Sequence, residues 1–217
     1  VPTLDNVLVD FKKSINKEVG ELYKTEYKGN KYSFNYLVWS EMLLCNSCDS
    51  ELNYHHLTSD YENNTFSEIL ICPKCGTKQK RTEANPLKET VYDEYLNTTI
   101  EQIKYVPVHI NFSANKKRLN KRPDEQDFKL AFSDLTNEND KYVPINSIIV
   151  GDKSSDPFRV GVRNIHQFYS PRIRFFLKTY LSLVNSEKYK PYNDFLIFTL
   201  TAILPKLTRM NRYMPKH

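Results

Sequence analysis

Four cysteines in two Cys-x-x-Cys pairs constrain this chain more than any other feature. Cys45 and Cys48 form the first pair and Cys72 and Cys75 the second; the 217 residues hold no other cysteine. A short spacing lets both thiolates of a pair point at one centre from a tight turn. Two such pairs supply the four soft ligands of a tetrahedral zinc ion. Pro73 and Gly76 frame the second pair, and a glycine there frees the backbone where amides must turn toward sulfur. The alternative of two disulfides fits this spacing poorly. Four thiolates leave no position for water, so the expected cofactor is one structural zinc ion. His55 and His56 lie between the pairs and would be the competing donors. The cysteines already complete the shell, so both histidines read as strand or surface residues.

Composition narrows the class. Hydrophobic residues make up 40% and charged residues 26%, the balance of a soluble globular protein. No apolar run approaches the roughly 20 residues of a membrane span, so no membrane partner is expected. The chain starts Val-Pro-Thr and shows no signal peptide. It reads as a piece excised from something longer, and metal-type cysteines place it in a reducing cytoplasm. The net charge of +5 is modest, but the charge is clustered. Residues 114–122 carry five cations and no acid, and Lys206, Arg209, Arg212 and Lys216 form a second acid-free run. Clusters of this kind suit a polyanion, above all nucleic acid.

Periodicity gives the outline. Leu4, Val7, Leu8, Phe11, Ile15, Val19 and Leu22 mark an amphipathic helix over 4–23, weakened at Gly20. A hairpin turning at Gly29-Asn30 follows, and a strand over 36–44 leads into the first cysteine pair. Residues 52–58 and 66–71 read as two strands around a polar loop containing Asn63-Asn64. Residues 100–112 read as one long strand despite Pro107. The basic run 114–122 reads as a flexible loop ahead of a helix from Pro123 to about Leu135. Residues 136–163 look irregular. Ser170-Pro171 opens an apolar-striped helix, and a last helix over about 193–204 is broken or kinked by Pro205. The expected class is α+β: a four-cysteine zinc-ribbon β-module flanked by an N-terminal helix and a C-terminal helical region. The expected segments are an N-terminal helix (1–25), the ribbon module (26–113), and a basic loop with a helical target-recognition region (114–217).

Two segments beside the cysteines carry chemistry. Lys116, Lys117, Arg118, Lys121 and Arg122 are suited to tracking phosphates. Residues 163–172 gather Arg163, His166, Tyr169 and Arg172, with Asn164 and Gln167, just before a helix N-terminus. Such termini attract anions, and Asn, Gln and Arg are the side chains that read base edges. No Gly-rich nucleotide loop, Gly-x-Ser-x-Gly, His-Glu-x-x-His or Asp/Asn-Pro-Pro-aromatic tetrapeptide is present, so no catalytic residue is assigned.

Taken together, these motifs resemble a region of bacterial DNA amino-methyltransferases. That region lies between the motif that binds AdoMet and the catalytic Asp-Pro-Pro-Phe/Tyr motif. The resemblance runs through Leu22-Tyr23, Val38-Trp39-Ser40 before Cys45, and the Cys-Pro-x-Cys-Gly pair. It continues through the Val-Pro-Val-x-Ile-Asn-Phe-Ser stretch at 106–113 and Lys117-Arg118 to Pro123-Asp124. It ends with His-x-Phe-Tyr-x-x-Arg at 166–172 and Arg-Met-Asn-Arg-Tyr at 209–213. It implies a site-specific, restriction-modification type enzyme acting on N6 of adenine ahead of N4 of cytosine. Double-stranded DNA and the remaining methyltransferase core would then be the partners, in a bacterial cytoplasm. AdoMet would bind only in the parent enzyme, and this segment alone would be inactive. The other reading is a structural or protein-interaction module that braces the methyltransferase without touching DNA. A free-standing zinc-ribbon factor is a third, disfavoured by the match outside the ribbon.

Overall fold

The computed structural model describes residues 3–60, 65–133 and 138–211, with the side chains of 138 and 139 excepted. The expectations at Asn63-Asn64, at Leu135, and at Arg212, Tyr213 and Lys216 lie outside the described residues. The fold is α+β. Helix α1 (Leu4–Val19) is opened by Thr3, whose hydroxyl accepts from Asn6 N, and a 3-10 turn (Gly20–Tyr23) continues it. Strands β1 (Lys24–Tyr27) and β2 (Asn30–Leu44) follow. The cysteine region holds β3 (Glu51–Asn53), α2 (Tyr54–Thr58), β4 (Ser59–Asp60), β5 (Thr65–Phe66), β6 (Ile69–Ile71), β7 (Lys78–Lys80) and β8 (Asn85–Pro86). Then come β9 (Lys88–Asp93), β10 (Thr98–Ile103), β11 (Tyr105–Ala114) and β12 (Lys117–Lys121). Helices α3 (Glu125–Phe132), α4 (Ser155–Arg159), α5 (Pro171–Val184) and α6 (Asn193–Leu207) complete the chain.

These elements form two compact units, one holding the described residues within 1–35, 111–148 and 164–211, the other those within 36–110 and 149–163. In the first, α1, α5 and α6 bury Phe11, Ile15, Val19, Tyr180, Val184, Leu196 and Leu200, together with Tyr189 from the α5–α6 connection. Phe11 meets Tyr180 and Tyr189 edge-on at 4.7 and 4.9 Å between ring centroids. Strands β1, β2, β11 and β12 are hydrogen-bonded in that order, and Phe112 is fully buried against Tyr27 and Tyr32. In the second unit, β3 and β8 pair with the end of β2, and β6–β7 and β9–β10 form hairpins. Its cysteine module has a small core of Leu43, Leu52, Leu70 and Ala84 with Cys45 and Cys72.

Local hydrogen bonding explains where the elements depart from the periodicity. The expected strand 52–58 stops at Asn53, because that side chain accepts from His56 N and starts a helical turn. Strand 66–71 splits at Ser67, whose hydroxyl takes both the amide and the carbonyl of Ile69. The long strand expected over 100–112 is two, divided at Lys104, whose amide and carbonyl engage Leu87 and Met42. Residues 114–122 are a β-hairpin rather than a flexible loop. Asn115 (φ 49°) and Lys116 (φ 62°) form a two-residue turn with positive φ at both positions, the geometry that matches strand twist. The first hairpin turns one residue earlier than read, at Lys28-Gly29. Residues 136–163 include a 3-10 turn (Glu138–Tyr142) and α4. Pro205 sits inside the last turn of α6, which ends at Leu207.

Candidate metal centre and basic hairpin

The four sulfurs converge. All lie within 4.8 Å of one another, and no other cluster of metal-ligating side chains occurs among the described residues. Cys45 Sγ is 3.6 Å from Cys75 Sγ, and Cys48 Sγ is 3.7 Å from Cys72 Sγ. A tetrahedron with Zn–S near 2.3 Å has edges of about 3.8 Å. The donor set therefore fits one zinc ion, and no cysteine is in a disulfide. His55 and His56 stand outside the cluster.

The two pairs are built alike. Cys45 N donates to Ser50 O and Cys72 N donates to Thr77 O, both at 2.9 Å. Asp49 N returns to Cys45 O and Gly76 N to Cys72 O. Asp49 and Gly76 both take positive φ, at 54° and 74°, which reverses the chain behind the second cysteine of each pair. Gly76 adopts that conformation without strain. The amides of Ser47 and Cys48 face Cys45, and those of Cys75 and Lys74 face Cys72. Amides directed at sulfur stabilise the charge a metal-bound thiolate carries.

A hydroxyl completes each half. Ser50 Oγ lies 2.8 Å from Cys48 Sγ, and Thr77 Oγ1 lies 3.2 Å from Cys75 Sγ. Neither residue was singled out from the sequence, although the repeat Cys-x-x-Cys-x-Ser/Thr is legible there. The Thr77 hydroxyl and amide hold the Cys75 thiol down to about 6. At Cys45 the Ser47 amide works against burial and the neighbouring thiols, which together push the thiol up to about 11.

The basic residues divide into two groups. Lys116, Lys117, Arg118 and Arg122 are exposed on or beside the β11–β12 hairpin and have no ion-pair partner among the described residues. Lys121 is different: only 12% of its side chain is exposed. Its ammonium binds Glu26 O at 2.8 Å, Asp124 Oδ2 at 2.6 Å and Asp127 Oδ2 at 2.9 Å, which ties the hairpin to the start of α3.

Residues 163–172 serve mainly to hold the chain. Asn164 and Gln167 cap a 3-10 turn (Ile165–Phe168), and Asn164 Nδ2 also donates to Ile145 O. His166 is buried within that turn, and Tyr169 is half-buried with its hydroxyl pKa raised by burial. Arg172 is 5% exposed, donates to Leu22 O at 2.9 Å, and lies over the rings of Tyr23 and Phe34. Burial lowers its pKa. Arg163 is exposed, with its guanidinium 4.5 Å from the centroid of Phe158. No helix among the described residues is long and apolar enough to cross a membrane. Comparison with protein-family models, curated proteins and solved structures finds no match.

Proposed function

We propose that this chain is the zinc-bearing target-recognition region of a site-specific DNA amino-methyltransferase, acting on N6 of adenine, and that it grips duplex DNA through the β11–β12 hairpin. The observation that carries the DNA part is the hairpin itself: four exposed cations, none with an ion-pair partner among the described residues, on or beside a tightly turned two-stranded element. A rigid cationic ribbon matches the phosphate rails of a duplex. The methyltransferase part rests on the ordered motif resemblance along the chain. The zinc is structural, since four thiolates leave it no open position.

Photo-crosslinking to duplex DNA, with the adducts mapped by mass spectrometry, tests the interface. Adducts within 114–122 are expected; their absence there, with adducts elsewhere or none, refutes the hairpin assignment. The enzyme class is tested by the surrounding reading frame, which should encode an AdoMet-binding motif upstream and Asp-Pro-Pro-Phe/Tyr downstream. A second reading, a bracing module, draws on Ile149, Val150 and Phe198, which are 89%, 80% and 74% exposed. It requires that the hairpin make no adducts at all.

A further inference from the structure

Asparagine is a poor strand former, because its short amide competes for backbone groups and packs little on a pleated surface. Three asparagines nevertheless stand side by side on one face of the first unit's sheet: Asn35 in β2, Asn111 in β11 and Asn120 in β12. Asn35 Nδ2 donates to Asn111 Oδ1 at 2.8 Å, and Asn111 Nδ2 donates to Asn120 Oδ1 at 2.6 Å. Asn35 Nδ2 also donates to Ser113 Oγ at 3.0 Å. Asn111, in the middle, is 5% exposed, while Asn35, Ser113 and Asn120 open to solvent.

The row is polarised and its orientation is fixed. Each amide is locked by its neighbour, so the outer groups face solvent already ordered, which lowers the entropic cost of binding. Asn120 keeps its amide nitrogen without a protein acceptor among the described residues, and its carbonyl has a second lone pair. That donor–acceptor pair complements N7 and N6–H2 of adenine. Strand alternation puts Arg118 on the same face as Asn120, and Lys31 and Ser33 on the same face as Asn35. Two strand spacings span about 10 Å. The major groove is about 12 Å wide.

We propose that this sheet face reads base edges in the major groove of duplex DNA. The outer amide of Asn120 and the carbonyl of Asn35, whose two amide hydrogens are committed to Asn111 and Ser113, make the sequence-specific contacts, with adenine preferred at Asn120, and Arg118 and Arg122 flank them. The proposal rests on the DNA-binding reading above and adds to it the surface that supplies specificity.

The test is selection by the 217-residue chain from a pool of randomised duplexes. Affinities are then measured for the enriched duplex and for a scrambled one. Asn35→Ala and Asn120→Ala each remove one partner of the buried Asn111 amide and should lower the melting temperature modestly, so affinities are read well below the unfolding transition of each variant. Each is expected to lower the ratio of enriched to scrambled affinity about ten-fold, with scrambled affinity unchanged. Lys117→Ala should weaken both affinities alike and leave the ratio intact. A ratio unchanged in both asparagine variants, or a parallel loss of both affinities, overturns base reading but leaves DNA binding standing. Binding without any enriched motif does the same. If the wild-type chain binds no duplex at all, the DNA-binding reading fails and this proposal fails with it.

Discussion

The salt dependence of DNA binding should fall steeply when the hairpin is neutralised. The structure supplies the count, because Lys116, Lys117, Arg118 and Arg122 are exposed and unpaired among the described residues, whereas Lys121 is committed to Asp124 and Asp127. Each phosphate neutralised contributes about 0.9 to the slope of log affinity against log salt. Replacing all four residues with alanine should therefore flatten the slope by up to about 3.6. Between about 50 and about 200 mM salt, the wild-type chain should lose roughly 150-fold more affinity than the variant. If only three side chains reach phosphates, that factor is about 40. Fluorescence anisotropy of a labelled duplex over a potassium chloride series reads the slope directly. Lys121→Ala is the internal control: it should leave the slope unchanged and cost about 2 kcal/mol of stability, because it removes the cation paired with the buried Asp127 carboxylate, which keeps only its hydrogen bonds from Thr25 and the Asp124 amide. Equal slopes for the wild type and the fourfold variant would refute the reasoning, as would a slope that drops only with Lys121→Ala.

The remaining expectations concern stability and the metal. Native mass spectrometry should find one zinc ion per chain. Chelation, or Cys72→Ser, should unfold the cysteine module, since Leu43, Leu52, Leu70 and Ala84 form too small a core to hold it. Ser50→Ala and Thr77→Ala should each weaken zinc affinity about ten-fold in a chelator competition while keeping the one-to-one stoichiometry. Asp140→Ala should cost about 3 kcal/mol in urea unfolding, because it removes an ion-pair partner of the fully buried Lys178 ammonium; Lys178→Met, which removes the charge instead, should cost less. The hydrogen bonds from Lys188 and then Tyr189 lower the Asp10 pKa below 3.8, and the bond to Asp10 raises that of Lys188 above 10.5. The Asp10 contribution is present above its unfolded value of 3.8 and is lost as pH falls through the lower folded value. The Lys188 contribution is present below 10.5 and is lost as pH rises through the higher folded value. The stability gap between wild type and Asp10→Asn should thus be flat from mildly acidic to mildly alkaline pH and should close at both extremes. A gap that varied through neutral pH would contradict it.

What was legible in the sequence depended on the range of the interaction that decides it. The cysteine spacing, the Pro171 helix start and the apolar stripes of α1 and α5 are local patterns, and the chain follows them. The Asn53 and Ser67 breaks are local too, but they come from one side chain bonding to the backbone, which hydrophobic periodicity does not register. The Ser50 and Thr77 hydroxyls were readable by aligning the two cysteine pairs, since each lies two residues past the second cysteine.

The cations were harder, for a different reason. In sequence, Lys121 and Arg172 look like Lys117 and Arg163, and only tertiary contacts separate them. Lys121 is taken by the α3 cap, and Arg172 by Leu22 O and two rings. The three asparagines are the extreme case. They lie 76 and 9 residues apart along the chain, so their row exists only once β2, β11 and β12 are paired. A charge cluster marks where a polyanion could be held, but specificity needs donors and acceptors in fixed directions. On the proposed reading those directions are set by cross-strand register, which is why the asparagine row is visible only from the sheet.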